Sequence, residues 1–411
     1  MKKLVGVTLG IMTALGGFVD FGQIVFTMQA GSLFQYRLIW TIVLGSVAII
    51  TYMEMCGRIA VVSQSPVFDV VRDSLGQRFG FLVLIASNLL NLITCAAELG
   101  GIAIVLRLLT GWPEKAALLV GASLLCCAVA ALQFKWIERI FGLGGLFMIV
   151  FAVSVYLLHP DWNAVAHGLI PLPAPNEPGR NLLYWYFAVG IFSAMLMEYE
   201  VHFYSSGAIE EDWKPKDLTE NFAVAAFGSI LGALLTIALL VLGAIVFLPR
   251  GIFPELLSTT TMAGALPFRK AGLLLALIGT LACLAGAAIE TALSGAYNHC
   301  QFFNVPWGKN LPARRVQTFT KYWIGMFAVA VLMLFSGLSP LKLVNISVVF
   351  GMVVMPFTYY PILRVAMDKN IMGKHVNRRG DTALGVAVLM LIVGAAAAAI
   401  PLMIRTNSGR P

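Results

Sequence analysis

Charge is scarce in this chain of 411 residues: Asp, Glu, Lys and Arg together make up 12% of it, where soluble domains carry about 25%. That shortage, beside 59% apolar residues, excludes a disordered chain and a soluble multidomain enzyme. Histidine is rarer still, with five residues, and the six cysteines (Cys56, Cys95, Cys126, Cys127, Cys283 and Cys300) lie in or at the ends of apolar segments. None is paired in a loop at disulfide or metal spacing. A disulfide-stapled secreted domain is therefore excluded, and the thiols read as reduced packing residues. There is no phosphate-binding glycine loop and no Ser/His/Asp set in a polar stretch. The chain reads as no enzyme, without a cofactor or a place for ATP, and any work it does must draw on an ion gradient or the membrane potential. The net charge of +8 does not point to nucleic acid, because the basic residues sit in short loops between apolar runs.

Those apolar runs dominate the chain. A bilayer-spanning helix needs about 20 mostly apolar residues. Eleven segments qualify, at roughly 4–30, 36–60, 79–109, 114–133, 136–158, 182–208, 219–248, 269–298, 317–337, 340–363 and 382–404. Turn-forming stretches separate them: Gly111-Trp112-Pro113, residues 171–180, Pro249-Arg250-Gly251 and Pro306-Trp307-Gly308. Residues 64–78, with Pro66 near the first turn, read as a short amphipathic surface helix. Met1-Lys2-Lys3 before an apolar run imitates a signal peptide, but Asp20 interrupts the run and another apolar stretch follows at once.

An odd number of spans puts the termini on opposite sides. With the N-terminus cytoplasmic, 18 of the 28 Lys and Arg face the cytoplasm, as the positive-inside rule requires. The expectation is an integral protein of a bacterial inner membrane with its C-terminus outside. Its surroundings are the lipid bilayer, and no obligate protein partner is inferred.

Six acidic residues fall inside the expected spans: Asp20, Glu54, Glu98, Glu198, Glu200 and Glu290. An ionisable group at membrane depth costs at least about 2.5 kcal/mol, so each is a functional candidate. Glu54 stands four residues before Arg58 near a span end and reads as an i,i+4 ion pair. The others are deeper, where the bland alternative is a protonated or Arg-paired carboxyl that fixes helix packing. Asp20 sits in Gly16-Gly17-Phe18-Val19-Asp20-Phe21-Gly22-Gln23, a composition suited to an unwound segment whose open carbonyls can coordinate a cation. Segment 6 reads Ala194-Met195-Leu196-Met197-Glu198-Tyr199-Glu200-Val201-His202. A methionine usually fills a packing gap. Beside a carboxylate, its thioether makes a mixed hard and soft ligand set, which selects transition metals over Mg²⁺ or Ca²⁺.

Segments 1 and 6 begin about 178 residues and five spans apart. Five spans followed by five inverted spans, with the first helix of each half interrupted, is a transporter plan. On this plan one transmembrane domain covers 1–411, with repeat one at about 4–158, repeat two at about 182–363 and an extra helix at about 382–404.

The sequence resembles the Nramp family of divalent metal transporters. The closest patch is Ala97-Glu98-Leu99-Gly100-Gly101-Ile102-Ala103-Ile104-Val105-Leu106-Arg107-Leu108-Leu109-Thr110-Gly111 in span 3. A second lies in Pro356-Phe357, Pro361-Ile362-Leu363-Arg364 and Ile371-Met372-Gly373-Lys374-His375-Val376-Asn377-Arg378. The family's helix-1 motif Asp-Pro-Gly-Asn stands here as Asp20-Phe21-Gly22-Gln23, and its helix-6 motif Met-Pro-His as Met197-Glu198-Tyr199. The resemblance implies an all-α membrane protein of about eleven helices, a five-plus-five inverted repeat of the leucine-transporter type with helices 1 and 6 unwound. It implies Asp20, Gln23 and Met197 as metal ligands, completed by backbone carbonyls near Gly17 and Ala194.

The chain departs from the family on the proton side. The acid that the family places three residues before Glu98 is Cys95, the helix-6 His is Tyr199, and a span-10 Gln aligns with Val354. Glu98 remains, and Glu198, Glu200, Tyr199 and His202 are candidates for carrying protons or surrounding the metal. Glu290 is a candidate second cation site. The other polar groups read as structural: Asn88 and Asn91 as contacts between helices, His159, His167 and Asp161 as loop residues, and Glu210-Glu211-Asp212 as a solvated helix end.

The function that follows is secondary transport of divalent transition-metal ions, Mn²⁺ or Fe²⁺, by alternating access, with proton coupling left open. The alternatives are an Nramp-related Mg²⁺ transporter without proton coupling and an ion-coupled carrier of amino acids or other organic solutes on the same fold.

Overall fold

The computed structural model of the chain describes residues 19–171, 174–264 and 266–410, and those residues form helices and connecting turns with no β-strand. The helices in chain order are α1 (Phe21–Phe34), α2 (Ile39–Ser63), α3 (Val67–Thr110), α4 (Glu114–Ala131), α5 (Phe134–Gly145), α6 (Ile149–Leu157), α7 (Trp162–His167), α8 (Pro178–Ala194), α9 (Glu198–Glu210), α10 (Leu218–Leu242), α11 (Leu257–Ala263), α12 (Arg269–Phe302), α13 (Gln317–Phe335), α14 (Pro340–Ala366), α15 (Lys369–Met372) and α16 (Arg379–Arg405).

Among the described residues, ten helical stretches are long and apolar enough to cross a membrane. They coincide with the second to eleventh expected spans. α5 and α6 join through a 3-10 turn at Leu146–Met148 into one crossing, and α8 and α9 form another across a break. Most of the first expected span lies outside the described residues, which begin just before its second half, α1. The expected surface helix over 64–78 is the first part of α3. Gly76, at φ 76° and ψ 162°, bends the path there, in a region open to glycine alone. That segment is less superficial than expected, since Val67, Phe68, Val70 and Val71 are buried.

Burial sorts the helices into centre and periphery. Every residue of α1 from Phe21 to Ser32 is buried, the polar Gln23, Thr27, Gln29 and Ser32 included. α16 buries only Gly385, Val388, Ile392 and Ala399 and lies at the edge. α1 presses on α10 backbone to backbone: a Cβ on Gly31 would collide with the Leu240 carbonyl, and one on Gly243 with that of Met28. Without a hydrophobic drive between helices in lipid, such small residues let packing forces hold the bundle.

Two polar ties fix one end of the bundle. The expected Glu54–Arg58 pair is present and bidentate, at 2.7 and 2.9 Å. Arg58 also donates to the His375 carbonyl at 2.5 Å and to Asn377 Oδ1 at 2.6 Å, which joins α2 to the segment before α16. The second tie corrects an expectation. Glu210 is more than a solvated helix end, because it accepts from the Tyr297 hydroxyl at 2.8 Å and from the backbone N–H groups of Lys309 and Asn310. It thereby satisfies two backbone donors of that turn.

Candidate metal centre

The expected interruption of the sixth span is present, and α1 starts where the first was expected, its upstream side lying outside the described residues. α1 starts at Asp20, whose extended backbone (φ −90°, ψ −179°) and side chain make it an N-cap: Oδ1 accepts from Gln23 N at 2.7 Å. A capping carboxylate satisfies an N–H group that the helix cannot and favours the positive end of its dipole. α8 ends at Ala194, and α9 begins after Met197, which is extended at φ −62°, ψ 115°. Neither proline nor glycine breaks the chain at 195–197. Glu198 and Glu200 fall in the first turn of α9, where the dipole again favours acids.

The two breaks meet. Gln23 Nε2 donates to the Ala194 carbonyl at 2.9 Å and lies 3.6 Å from Met195 Sδ. Glu98, from α3, accepts the Phe21 N–H at 3.2 Å, so two carboxylates hold the N-terminus of α1. Their charges lie close enough to interact, and the Tyr199 side chain hydrogen-bonds to Asp20. Asp20, Gln23, Glu98 and Tyr199 are almost fully buried, and so is Met197. Gln23 Oε1 and Glu98 Oε2 are buried without a hydrogen-bond partner among the described residues. A buried amide oxygen left unpaired is costly unless something else supplies the positive end. The donors gathered here are a carboxylate and an amide oxygen, with the Met195 sulfur 3.6 Å from the Gln23 amide nitrogen and Met197 buried at the break beside them; oxygen with sulfur at hand suits a borderline divalent metal.

The three residues that follow Met197 reach three different clusters. Tyr199 faces Asp20, as described. Glu198 turns away: its Oε1 accepts from Ser87 Oγ of α3 at 2.8 Å, and its Oε2 is buried without a hydrogen-bond partner among the described residues. His202, one turn along, places Nε2 at 3.6 Å from Glu198 Oε1, and its ring meets Phe68 edge-on. Glu200 faces α12, where its charge interacts with that of Glu290. The structure thus brings Asp20, Gln23, Ala194, Glu98 and Tyr199 together. It sets Glu198 with His202, and turns Glu200 toward Glu290 of α12 while leaving its charge near enough to interact with that of Asp20. The Gly17 carbonyl lies outside the described residues. The Ala194 carbonyl, expected as a ligand, already accepts the Gln23 amide.

Sequence reasoning missed Met195, which reads as a gap-filler yet puts its sulfur beside Gln23, and it missed Ser87 as the partner of Glu198. Asn88 does join helices, donating to Tyr322 Oη at 2.7 Å, whereas Asn91 is buried with neither end of its amide paired among the described residues. Asp161 caps α7. No three His, Cys, Asp or Glu side chains converge at metal-binding spacing among the described residues.

A bundle of membrane-spanning helices, in which an interrupted helix meets the capped start of α1 around a buried acid, matches the plan of many secondary transporters. Residues 10–401 match the profile of the family described as natural resistance-associated macrophage protein-like, Nramp. The chain belongs to the Nramp family. It is 25% identical over 401 residues to the divalent metal cation transporter MntH of Levilactobacillus brevis, covering 92% of this chain and 85% of that one. It is 28% identical over 395 residues to the protein of the same name from Pediococcus pentosaceus, covering 90% and 85%. In fold it is similar to the Eremococcus coleocola manganese transporter, with a TM-score of 0.77 at 20% identity over 99% of this chain and 94% of that one. It is also similar to MhsT in complex with L-phenylalanine, with a TM-score of 0.62 at 16% identity over 98% of both chains.

Proposed function

We propose that the chain carries divalent transition-metal ions, Mn²⁺ or Fe²⁺ first, by alternating access about the Asp20–Met197 centre. It is a membrane transporter and not an enzyme, as its family membership implies. The observation that carries the choice of cargo is the buried, unpaired Gln23 Oε1 beside the Asp20 cap. The relatives named divalent metal cation transporters and the manganese transporter of similar fold support it. The ligands in this reading are the Asp20 carboxylate, Gln23 Oε1 and the Met197 thioether, with the carbonyls of Gly17 and Ala194 completing the shell. Entry of an ion exchanges the Gln23–Ala194 hydrogen bond for ion–oxygen contacts, which loosens the joint between the two broken helices.

Two sulfur-bearing residues at the second break, Met195 and Met197, favour a transition metal over Mg²⁺, which gains little from a thioether. An organic substrate with a carboxylate would seek the N-terminus of α1, and there it would meet Asp20 and Glu98. For proton coupling the reading names Glu98, whose free oxygen lies beside Asp20, with Glu198 and His202 as the next titratable pair. The chain is one domain, 1–411, with repeats at about 4–158 and 182–363, in a bacterial inner membrane with its N-terminus cytoplasmic. An inside-negative potential then favours entry by about 2.3 kcal/mol per charge per 100 mV.

The test is Mn²⁺ uptake into proteoliposomes by Asp20→Ala and Asp20→Asn. Asparagine caps a helix as well as aspartate does, so Asp20→Asn should fold like the wild type and still lose uptake. Normal uptake by Asp20→Asn would remove Asp20 from the metal site.

A further inference from the structure

We propose that Glu200 and Glu290 form a second cation site, separate from the Asp20–Met197 centre, which takes a hard divalent cation through oxygen atoms alone. The proposal goes beyond the transport reading and rests on different residues. Packing sets the pair's register: Ser294 Oγ of α12 donates to the Tyr199 carbonyl of α9 at 2.7 Å. Glu200 follows Tyr199, and Glu290 stands one helical turn before Ser294, so the two acids come to the same interface. Glu200 is 2% exposed and Glu290 9%. Both oxygens of Glu200 and Oε2 of Glu290 are buried without a hydrogen-bond partner among the described residues. Their charges interact with each other, and Glu200 also with Asp20.

The contrast with the other acids defines the problem this pair poses. Glu54 and Asp69 each have an arginine, and Glu198 has a hydroxyl and an imidazole. Glu200 and Glu290 have no cationic side chain in an ion pair among the described residues. Two like charges removed from water need a counter-charge. Two carboxylates match a divalent cation in charge. With no third His, Cys, Asp or Glu in the group, carbonyls and water complete the shell. Oxygen-only ligation of this kind suits Mg²⁺, Ca²⁺ or a second Mn²⁺ and gives no advantage to soft metals. Because Glu200 is electrostatically linked to Asp20, a cation here repels one at the first site. By linkage each ion weakens the other's binding by the same factor, so occupancy of the pair promotes release from the first site.

Equilibrium binding of Ca²⁺ and of Mn²⁺ to the purified full chain in detergent tests this, on the wild type, Glu200→Gln, Glu290→Gln, the double variant and Met197→Ala. Glutamine keeps the size of glutamate, and thermal unfolding checks each fold. The wild type should bind one Ca²⁺ per chain. The double variant should bind it at least tenfold more weakly, each single variant should weaken it, and Met197→Ala should leave it unchanged. Mn²⁺ stoichiometry should fall from two to one in the double variant. Ca²⁺ binding equal in the wild type and the folded double variant, or absent from both because the pair holds only a proton, would overturn the proposal. If Mn²⁺ uptake fails while Ca²⁺ binding depends on Glu200 and Glu290, the transport reading falls and the second site stands.

Discussion

Gln23 donates its side-chain amide to the Ala194 carbonyl at 2.9 Å, so the first turn of α1 is joined directly to the last turn of α8, at the break before α9. The same amide leaves its oxygen buried and unpaired. One residue therefore both closes the joint and offers an acceptor to an ion.

Replacing Gln23 separates these roles from packing. Gln23→Leu keeps the volume and loses both polar ends. A hydrogen bond lost with its partner left buried costs about 1–3 kcal/mol, so thermal unfolding in detergent should show a modest loss of stability. The KM for Mn²⁺ in proteoliposomes should rise at least about tenfold, since about 1.4 kcal/mol corresponds to that factor. An unchanged KM would mean that the amide oxygen does not reach the ion.

Glu98→Gln is the corresponding change on the proton side. Its amide oxygen can still accept the Phe21 N–H that Glu98 holds at 3.2 Å, so α1 should keep its start. The expected result is retained Mn²⁺ binding, with uptake that no longer responds to an imposed pH gradient. A gradient response equal to the wild type's would move coupling elsewhere, to the Glu198–His202 pair first.

Arg58→Ala should act on stability alone. It removes a guanidinium that binds Glu54, the His375 carbonyl and Asn377, leaving acceptors without a partner at a cost of about 1–3 kcal/mol. The unfolding temperature in detergent should fall, while the KM for Mn²⁺ should stay at the wild-type value. A changed KM with unchanged stability would make this tie part of the transport cycle.

Much of this molecule was legible in its sequence because lipid imposes one rule, that a spanning backbone must satisfy itself. Apolar length then counts helices, and the described residues confirm the second to eleventh. The helix start at Asp20 carried a local sign, an acidic N-cap among glycines. The break at 195–197 carried only an indirect one, the polar residues that follow it, because tertiary contact through Gln23 takes the place of a proline. What stayed hidden were pairings across distance. Ser87 lies 111 positions from Glu198, and no local pattern brings Glu200 to Glu290. Met195 was overlooked for the same reason, since an unbranched apolar side chain looks alike in a core and beside a ligand.

The most direct measurement is uptake of Mn²⁺ and Mg²⁺, side by side, into proteoliposomes of the wild type and Met197→Ala. The expected result is saturable Mn²⁺ uptake by the wild type, loss of most of it in the variant, and a shift of preference toward Mg²⁺ as the sulfur is removed. Mg²⁺ uptake indifferent to Met197, or no divalent uptake by the folded wild type, would contradict a thioether-containing transition-metal site at the meeting point of the two broken helices.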